Sequence, residues 1–225
     1  MKWMGRLQTA VLYVLAALLL PGCGIKEERP ERSRYQTAFL GSMDTVVRFT
    51  AYCTDSAEFD RACELVKEEL EQADKRYNLY RPDSELAHIN AGAGEGPVPV
   101  DREVAEAIET CRAWQEKFPA VNIAMGSVLA LWHTARQTGE PPAQAAIDKA
   151  MSHISMQAVD VTWTGDGASV ELADPDMSLD MGGVAKGLAA QSIADKLAQS
   201  GISAFLLDCG TSTLVCAGAP PGKEG

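Results

Sequence analysis

Cysteine and histidine, which commonly form zinc sites and covalent catalytic centres, are scarce in this sequence of 225 residues. Its six cysteines include no C-x-x-C pair, so zinc-finger and thioredoxin-like chemistry is not indicated. The three histidines, His88, His133 and His153, have no ligand-like spacing, and we expect each to be a structural or surface residue. No arrangement of Ser, His, Cys and Asp suggests a catalytic triad, which argues against a covalent hydrolase.

Clusters of basic residues are absent as well. The chain has 20 Lys and Arg residues against 31 Asp and Glu residues, and its formal net charge is −11. The acidic residues are spread along the chain, which argues against a nucleic-acid surface that neutralises phosphates. An anionic ligand would therefore need local help from backbone N–H groups, a lysine or a metal ion.

No hydrophobic run in the sequence is long enough to cross a bilayer comfortably. The apolar run at residues 9–20 follows two basic residues and ends in LPGC, which resembles a secretory signal with a bacterial lipobox. We therefore expect residues 1–23 to be a lipoprotein signal peptide, with Cys23 lipidated as the first mature residue. A plain signal peptide or an uncleaved anchor is the alternative. Residues 24–34 are predicted to tether the domain to the extracytoplasmic face of a bacterial cell membrane, because this segment is charged and poor in large apolar side chains.

Without Cys23 the number of cysteines is odd. Cys63 and Cys111 lie on the apolar faces of predicted helices, where cysteine commonly behaves as a small hydrophobic residue. A disulfide between Cys209 and Cys216 is an open alternative outside the cytoplasm.

Hydrophobic periodicity predicts an α+β fold. Several connections are of hairpin length and the helices do not strictly alternate with strands, which favours α+β over a doubly wound parallel sheet. The segment 120–136 is predicted to pass from a short strand into a helix, and a second helix is expected to restart at the prolines of GEPPAQ. The main predicted strands are 45–52, 159–163, 168–172, 203–209 and 213–218, and the main predicted helices are 55–76, 101–118 and 184–199.

The stretch SLDMGGVAKG, residues 178–187, places an acid, two glycines and a lysine between a predicted strand and a predicted helix. The N–H groups of a first helical turn carry partial positive charge, Gly182 and Gly183 let a ligand approach the backbone, and Lys186 adds a full charge. This pattern fits an anionic ligand and favours a phosphate. The spacing matches neither of the two common glycine-rich nucleotide motifs, so a tight turn with a surface lysine remains the alternative.

Two further side chains near this pattern have open roles. Asp180 either orients the turn by accepting hydrogen bonds from backbone N–H groups or lines the site. Tyr80 lies in a predicted loop and either stacks on a planar ligand or fills a gap in the domain surface.

Four blocks in the right order resemble the ApbE family of FAD:protein FMN transferases over essentially the whole chain after the signal. The blocks are SMDTVV, YNLYRPDSELAHIN, FPAVNIAMGSVLALWH, and LDMGGVAKGLAAQ followed by SAFLLDCGTSTLVCAG. The chain departs from the family pattern at Asp44, Asn122, Ser127, Leu188 and Thr211, where many members have Gly, Asp, Pro, Tyr and Gly. The resemblance implies mixed, largely antiparallel sheets with packed helices.

The resemblance also implies a lipoprotein that binds FAD with Mg²⁺. Such an enzyme transfers FMN as a phosphoester to a Thr or Ser hydroxyl on the flavin-acceptor domain of a membrane redox protein. The implied contacts to the flavin or the adenylate half are Met43, Tyr80, Ala120, Val121 and Asn122. The implied wall around the phosphates is Gly182, Gly183, Lys186 and Leu188, and the backbone carbonyl of Ala185 is one implied magnesium ligand. No catalytic residue is assigned.

Family members continue well beyond the last of these blocks, and their remaining magnesium ligands lie in that later part. Residues 35–225 are therefore expected to be the N-terminal portion of a flavin transferase domain, weak or inactive by itself. One alternative is a non-catalytic, membrane-anchored lipoprotein that binds a flavin or a nucleotide. Another is an extracytoplasmic solute-binding lipoprotein, which would not need the glycine pair and the lysine.

Overall fold

Two antiparallel sheets organise the part of the chain that the structure, a computed structural model, describes: residues 31–41, 45–165, 167–210 and 212–223. In chain order the elements are β1 (Ser33–Leu40), β2 (Val46–Cys53), α1 (Ser56–Tyr77), α2 (Glu85–Ala91), β3 (Val98–Val100), α3 (Arg102–Lys117), α4 (Gly126–Thr138), α5 (Gln144–Met151), β4 (Val159–Trp163), β5 (Ala168–Leu172), α6 (Ala185–Gln199), β6 (Phe205–Cys209) and β7 (Thr213–Ala217). These elements belong to one compact unit that begins at Arg32.

The first sheet has the order β1-β2-β6-β7, with every neighbouring pair antiparallel. Val47, Phe49 and Ala51 alternate along β2 and are fully buried, because successive side chains of a strand point to opposite faces. Helices α1 and α6 cover this face, and the ring of Phe59 in α1 stacks on Phe49 with 5.6 Å between centroids. This core fixes α1 and α6 on the same side of the sheet.

The second sheet has the order β3-β5-β4 and packs with α2 and α3 around its own core. Leu86, Ile108 and Leu172 are among its fully buried side chains. Leu179 and Met181, from the segment that leads into α6, belong to the same core. The segment carrying the two glycines is therefore anchored in one core, while the helix that follows it reaches into the other.

The α+β class and the main elements are confirmed. Asp55 caps α1 by accepting a hydrogen bond from the Glu58 backbone N–H at 2.7 Å, and the predicted hairpin is the antiparallel pair β4 and β5. Two local expectations were wrong. The segment before α4 contributes only an isolated bridge between Met125 and Ser178 instead of a strand, and α5 starts at Gln144, after both prolines.

Strand β1 was not anticipated and begins at Ser33, so the last two residues of the segment expected to be a tether already pair with β2. The rest of that segment, apart from residues 31 and 32, and the predicted signal peptide with Cys23 lie outside the described residues. Within the described ranges, no helix combines the length and hydrophobicity that a membrane span needs.

The cysteines of the described ranges are free thiols. Cys63 and Cys111 are buried on their helices as predicted. Cys209 pairs with Thr213 across the β6–β7 hairpin, whereas Cys216 pairs with Leu206. The two cysteines of the considered disulfide are therefore displaced from each other along the hairpin.

Candidate functional site

A cleft of about 200 Å³ opens where the C-terminal end of α1 meets the N-terminal end of α6. Its walls come from α1 (Ala73, Asp74, Tyr77), the loop that follows α1 (Asn78, Leu79, Tyr80), the glycine turn (Asp180, Gly182) and the start of α6 (Ala185, Lys186). Four residues of the sequence-predicted site, Tyr80, Gly182, Ala185 and Lys186, thus share one concave surface.

The two helices that form the cleft are held together by a buried carboxylate. Glu69 of α1 is only 4% exposed, accepts a hydrogen bond from the Ser192 hydroxyl of α6 at 2.7 Å and forms an ion pair with Lys196. Burial disfavours the charged form, but the hydrogen bonds from Lys196 and Ser192 outweigh it and lower the pKa of Glu69. Later residues of α1 lie near earlier residues of α6, so the two helices are antiparallel and the C-terminal end of α1 faces the N-terminal end of α6.

The segment that enters the glycine turn is fixed on both sides by hydrogen bonds. The Asn90 side chain of α2 bonds to the backbone N–H and C=O of Leu179. On the other side, the Gly126 N–H donates to the Ser178 carbonyl at 2.9 Å. A Cβ atom at Gly126 would lie 2.5 Å from that carbonyl oxygen, so only glycine permits this approach.

Asp180 both orients the turn and lines the cleft. Its carboxylate Oδ1 accepts a hydrogen bond from the Gly182 N–H at 2.7 Å, and its own N–H donates to the Ile123 carbonyl at 2.8 Å. Helix α6 then starts after Val184, which gives it no side-chain cap. The first turn of α6 therefore brings its partial positive charge to the cleft.

Lys186 adds a full positive charge to this helix start. It lines the cleft and forms no ion pair or hydrogen bond with any residue of the described ranges. Burial and the charge of Asp208 raise the pKa of the Cys209 thiol, and the positive charge of Lys186 opposes that shift. A helix N-terminus beside a lysine that has no ion-pair partner among the described residues suits a phosphate group.

Tyr80 adds an aromatic ring to the wall of the cleft. The residue is 55% exposed, and its backbone N–H donates to the Asn78 side-chain oxygen at 2.9 Å. The ring stacks on His133 of α4 with 4.6 Å between centroids and 26° between planes. Tyr80 therefore lines the cleft, and the two roles left open for it stay predictions.

The remaining predicted site residues lie elsewhere. Ala120, Val121 and Asn122 precede α4 and do not line the cleft; the Asn122 amide donates to the Ile154 carbonyl at 2.8 Å and accepts from the Ala124 N–H at 2.9 Å. Gly183 is exposed beside the turn. Leu188 lines a second groove of about 330 Å³ between α1, α3 and α6, and Met43 lies outside the described residues. The ligand roles of these residues stay predictions.

A complete magnesium site is not built from the residues that the structure describes. These ranges contain no group of three or more His, Cys, Asp or Glu side chains that could hold a metal ion. Ala185 is buried as the first residue of α6, and of the two carboxylates at the cleft, Asp74 already binds Arg81 at 3.1 Å. Mg²⁺ takes about six oxygen ligands in octahedral geometry, so the Ala185 carbonyl alone would not hold it.

Sequence reasoning missed the contribution of α1 to the cleft. Asp74 and Tyr77 are one turn apart on the helix, a spacing that also describes an ordinary helix face. Burial raises the pKa of Tyr77 to about 12, so its hydroxyl is protonated at neutral pH. Their role becomes visible only once the start of α6 lies opposite.

Comparisons with known proteins point to one family. A sequence model described as the ApbE family matches residues 43–224. The chain is 31% identical over 193 residues to an FAD:protein FMN transferase of Treponema pallidum, covering 84% of this chain and 52% of that protein. It is 26% identical over 207 residues to an FAD:protein FMN transferase of Escherichia coli K12, covering 90% of this chain and 59% of that protein.

A solved structure has the same fold. The apo form of the flavinyl transferase ApbE from Pseudomonas stutzeri superposes with a TM-score of 0.72 at 22% identity, over 86% of this chain and 61% of that one. The chain thus spans a little over half the length of the two relatives it matches by sequence.

Proposed function

The chain belongs to the ApbE family, and on this premise we propose that its cleft binds FAD as part of an FAD:protein FMN transferase. The observation that carries the proposal is the shared wall of Lys186 and Tyr80, which offers a cation and an aromatic ring to one ligand. FAD has both features that such a wall would recognise, a charged pyrophosphate and two planar ring systems.

The pyrophosphate is assigned to the start of α6. Lys186 has no carboxylate partner within the described ranges, and the first turn of α6 has no side-chain cap. The carboxylates nearby are engaged by other groups, Asp74 by Arg81 and Asn78, and Asp180 by the Gly182 N–H. A phosphate at Lys186 would therefore meet positive charge, despite the net charge of −11 for the whole chain.

The proposed reaction transfers the FMN phosphoryl group. The oxygen of an acceptor Thr or Ser hydroxyl forms a bond to the FMN phosphorus, the bond between that phosphorus and the bridging oxygen breaks, AMP leaves, and the hydroxyl proton is released. Lys186 and the α6 N–H groups would bind the charged oxygens. Glu69 joins α1 to α6 and would thereby keep the ring and phosphate subsites in a fixed relative position.

Magnesium dependence belongs to the proposal through the family resemblance. When bound, a divalent cation neutralises charge on phosphoryl oxygens. Among the described residues the proposal assigns it one ligand, the Ala185 carbonyl, and no step is routed through it because those residues do not form a complete site.

The acceptor is proposed to be the flavin-acceptor domain of a membrane redox protein on the extracytoplasmic face of the cell membrane. Lipidation at Cys23 would hold the enzyme at the same surface. The support for this location is the apolar run and LPGC sequence at the start of the chain. Inhibition of lipoprotein signal peptidase should leave a larger, unprocessed chain, and an unchanged mature size would remove the Cys23 assignment.

The central test measures FAD binding and FMN transfer separately. The full 225-residue chain is titrated with FAD and then incubated with FAD, Mg²⁺ and an acceptor domain, whose mass is followed. The proposal expects binding and a mass gain of one FMN residue. Binding without transfer, where a longer family member transfers under the same conditions, would favour the non-catalytic flavin-binding alternative, and absence of binding would overturn both.

A further inference from the structure

The aromatic ring on the cleft wall is supported from behind by a histidine on another element. Tyr80 lies in the loop after α1, whereas His133 lies in the middle of α4. Their rings are 4.6 Å apart and within 26° of parallel, which is a stacked geometry. His133 therefore covers one face of the Tyr80 ring, and Tyr80 stays 55% exposed at the cleft.

His133 is itself held by its own helix. Its Nδ1 lies 3.3 Å from the Arg136 guanidinium, which can only donate, so Nδ1 accepts and the proton of a neutral imidazole is on Nε2. Nε2 lies 3.0 Å from the Gln137 amide nitrogen. Rotation of that amide by 180° exchanges its nitrogen and oxygen and places the oxygen where it would accept the Nε2 proton. Contacts at both nitrogens fix the plane of the imidazole.

The backbone that carries Tyr80 is fixed independently. The Tyr80 N–H is bonded to Asn78, and the next residue, Arg81, forms ion pairs with Asp74, Asp83 and Glu71 at 2.8 to 3.1 Å. The loop therefore sets the position of the Tyr80 backbone, and the ring that it carries stacks on His133.

We propose that His133 is a positioning residue that holds Tyr80 as a one-sided stacking platform for a planar ring of the ligand. The inference rests on the proposed function, because it takes FAD to be the ligand of the cleft. The shared chemistry is a π-stacked ring, supplied by either the isoalloxazine or the adenine of FAD. His133 acts through Tyr80 and needs no contact with the ligand.

The test compares two replacements of His133 that differ in one property. His133→Phe keeps a planar ring, while His133→Leu keeps apolar bulk without a ring. Isothermal titration with FAD should show binding about three- to tenfold weaker for His133→Leu, the range expected from the loss of one aromatic pair, and within about twofold of the parent for His133→Phe. His88→Leu, at an exposed histidine of α2, is the matched control and should bind like the parent.

A double variant distinguishes positioning from general destabilisation. If His133 acts through Tyr80, His133→Leu should cause no further loss in a Tyr80→Ala background. Titrations with FMN and with ADP then identify the ring, since the His133→Leu loss should appear with only one of them. Thermal unfolding of each variant confirms that the comparison is made on folded protein.

Unchanged or tighter FAD binding by His133→Leu would overturn the inference. The His133 imidazole would then have no effect on FAD affinity, or it would occupy the place of the ligand ring. Additive losses in the double variant, or a loss that His133→Phe does not restore, would overturn it as well. Failure of the parent chain to bind FAD would instead count against the proposed function.

Discussion

Asn90 and Leu179 form a reciprocal pair of hydrogen bonds that joins α2 to the segment entering the glycine turn. The Asn90 amide nitrogen donates to the Leu179 carbonyl at 2.9 Å, and the Leu179 N–H donates to the Asn90 amide oxygen at 2.8 Å. Leu179 is fully buried, so no water can replace these bonds. The Asn90 side chain therefore supplies the hydrogen-bond partners that the Leu179 N–H and C=O would have had in a regular strand.

Replacement of Asn90 should destabilise the fold more than its size suggests. Asn90→Ala leaves the buried N–H and C=O of Leu179 without partners, and we expect a loss of about 2 kcal/mol or more in the free energy of unfolding. Asn90→Asp is the isosteric comparison and should also destabilise, because a carboxylate cannot donate to the Leu179 carbonyl. Urea unfolding measures both; a midpoint equal to that of the parent for Asn90→Ala would contradict the assigned role.

Two glycines should respond in opposite ways to alanine. Gly126→Ala places a methyl group 2.5 Å from the Ser178 carbonyl oxygen and should destabilise the protein by about 1 to 3 kcal/mol. Gly187→Ala, inside α6 with open space around the added Cβ, should stabilise it by about 0.5 to 1 kcal/mol. Thermal midpoints of the two variants check this, and a shift of the same sign for both would refute the packing argument.

Removal of the Lys186 charge should weaken FAD binding without weakening the fold. Because Lys186 has no ion pair within the described residues, Lys186→Ala breaks no salt bridge there, and we expect FAD to bind about tenfold or more weakly. Lys67→Ala, which changes the net charge equally at an exposed position paired with Glu64, is the matched control. Equal affinities of the Lys186→Ala and Lys67→Ala variants would remove Lys186 from the phosphate subsite.

The ion pair between Glu69 and Lys196 should make stability depend on pH in the acid range. Glu69 has a lowered pKa, so its contribution is complete above the ordinary glutamate value of 4.5 and is lost as the pH falls through the lower folded-state value. At neutral pH, Glu69→Gln should cost about 1 to 2 kcal/mol, since half of the Lys196 side chain stays hydrated. The gap between parent and variant in urea unfolding should narrow below pH 4.5; a constant gap would contradict this account.

Thiol labelling should separate one cysteine of the described ranges from the other four. Cys216 is exposed, whereas Cys53 and Cys111 are buried and burial raises the pKa of each thiol to about 11; Cys63 and Cys209 are buried too. In a chain with Cys23→Ser, a thiol reagent at pH 8 should label one site rapidly, and Cys216→Ser should abolish that phase. Rapid labelling that persists in the Cys216→Ser variant would show that one of the buried thiols becomes accessible to the reagent.

Local patterns predicted the elements whose signals lie within one stretch of chain. Helix α1 follows from apolar residues every three or four positions after the Asp55 cap, and the β4–β5 hairpin follows from two alternating runs around a glycine-rich turn. Strand β1 was not predicted because its residues are mostly polar. Its extended conformation depends on its pairing with β2. The segment before α4 is apolar, and an apolar run of this length fits a strand and a buried loop equally well. In the structure its contact with Ser178 is a single isolated bridge, so the segment is not a strand.

The sequence by itself determined the chemistry of the turn: an acid that caps it, glycines that keep its backbone accessible, and a lysine at the start of a helix. Only the tertiary structure decided what faces that turn. Glu69 ties α1 to α6 and so brings Tyr80 to the same cleft as Lys186, and α4 places His133 behind the tyrosine ring. Local spacing cannot encode these relationships, because they depend on which helices pack together, and that choice comes from burying apolar faces that many partners would satisfy equally well.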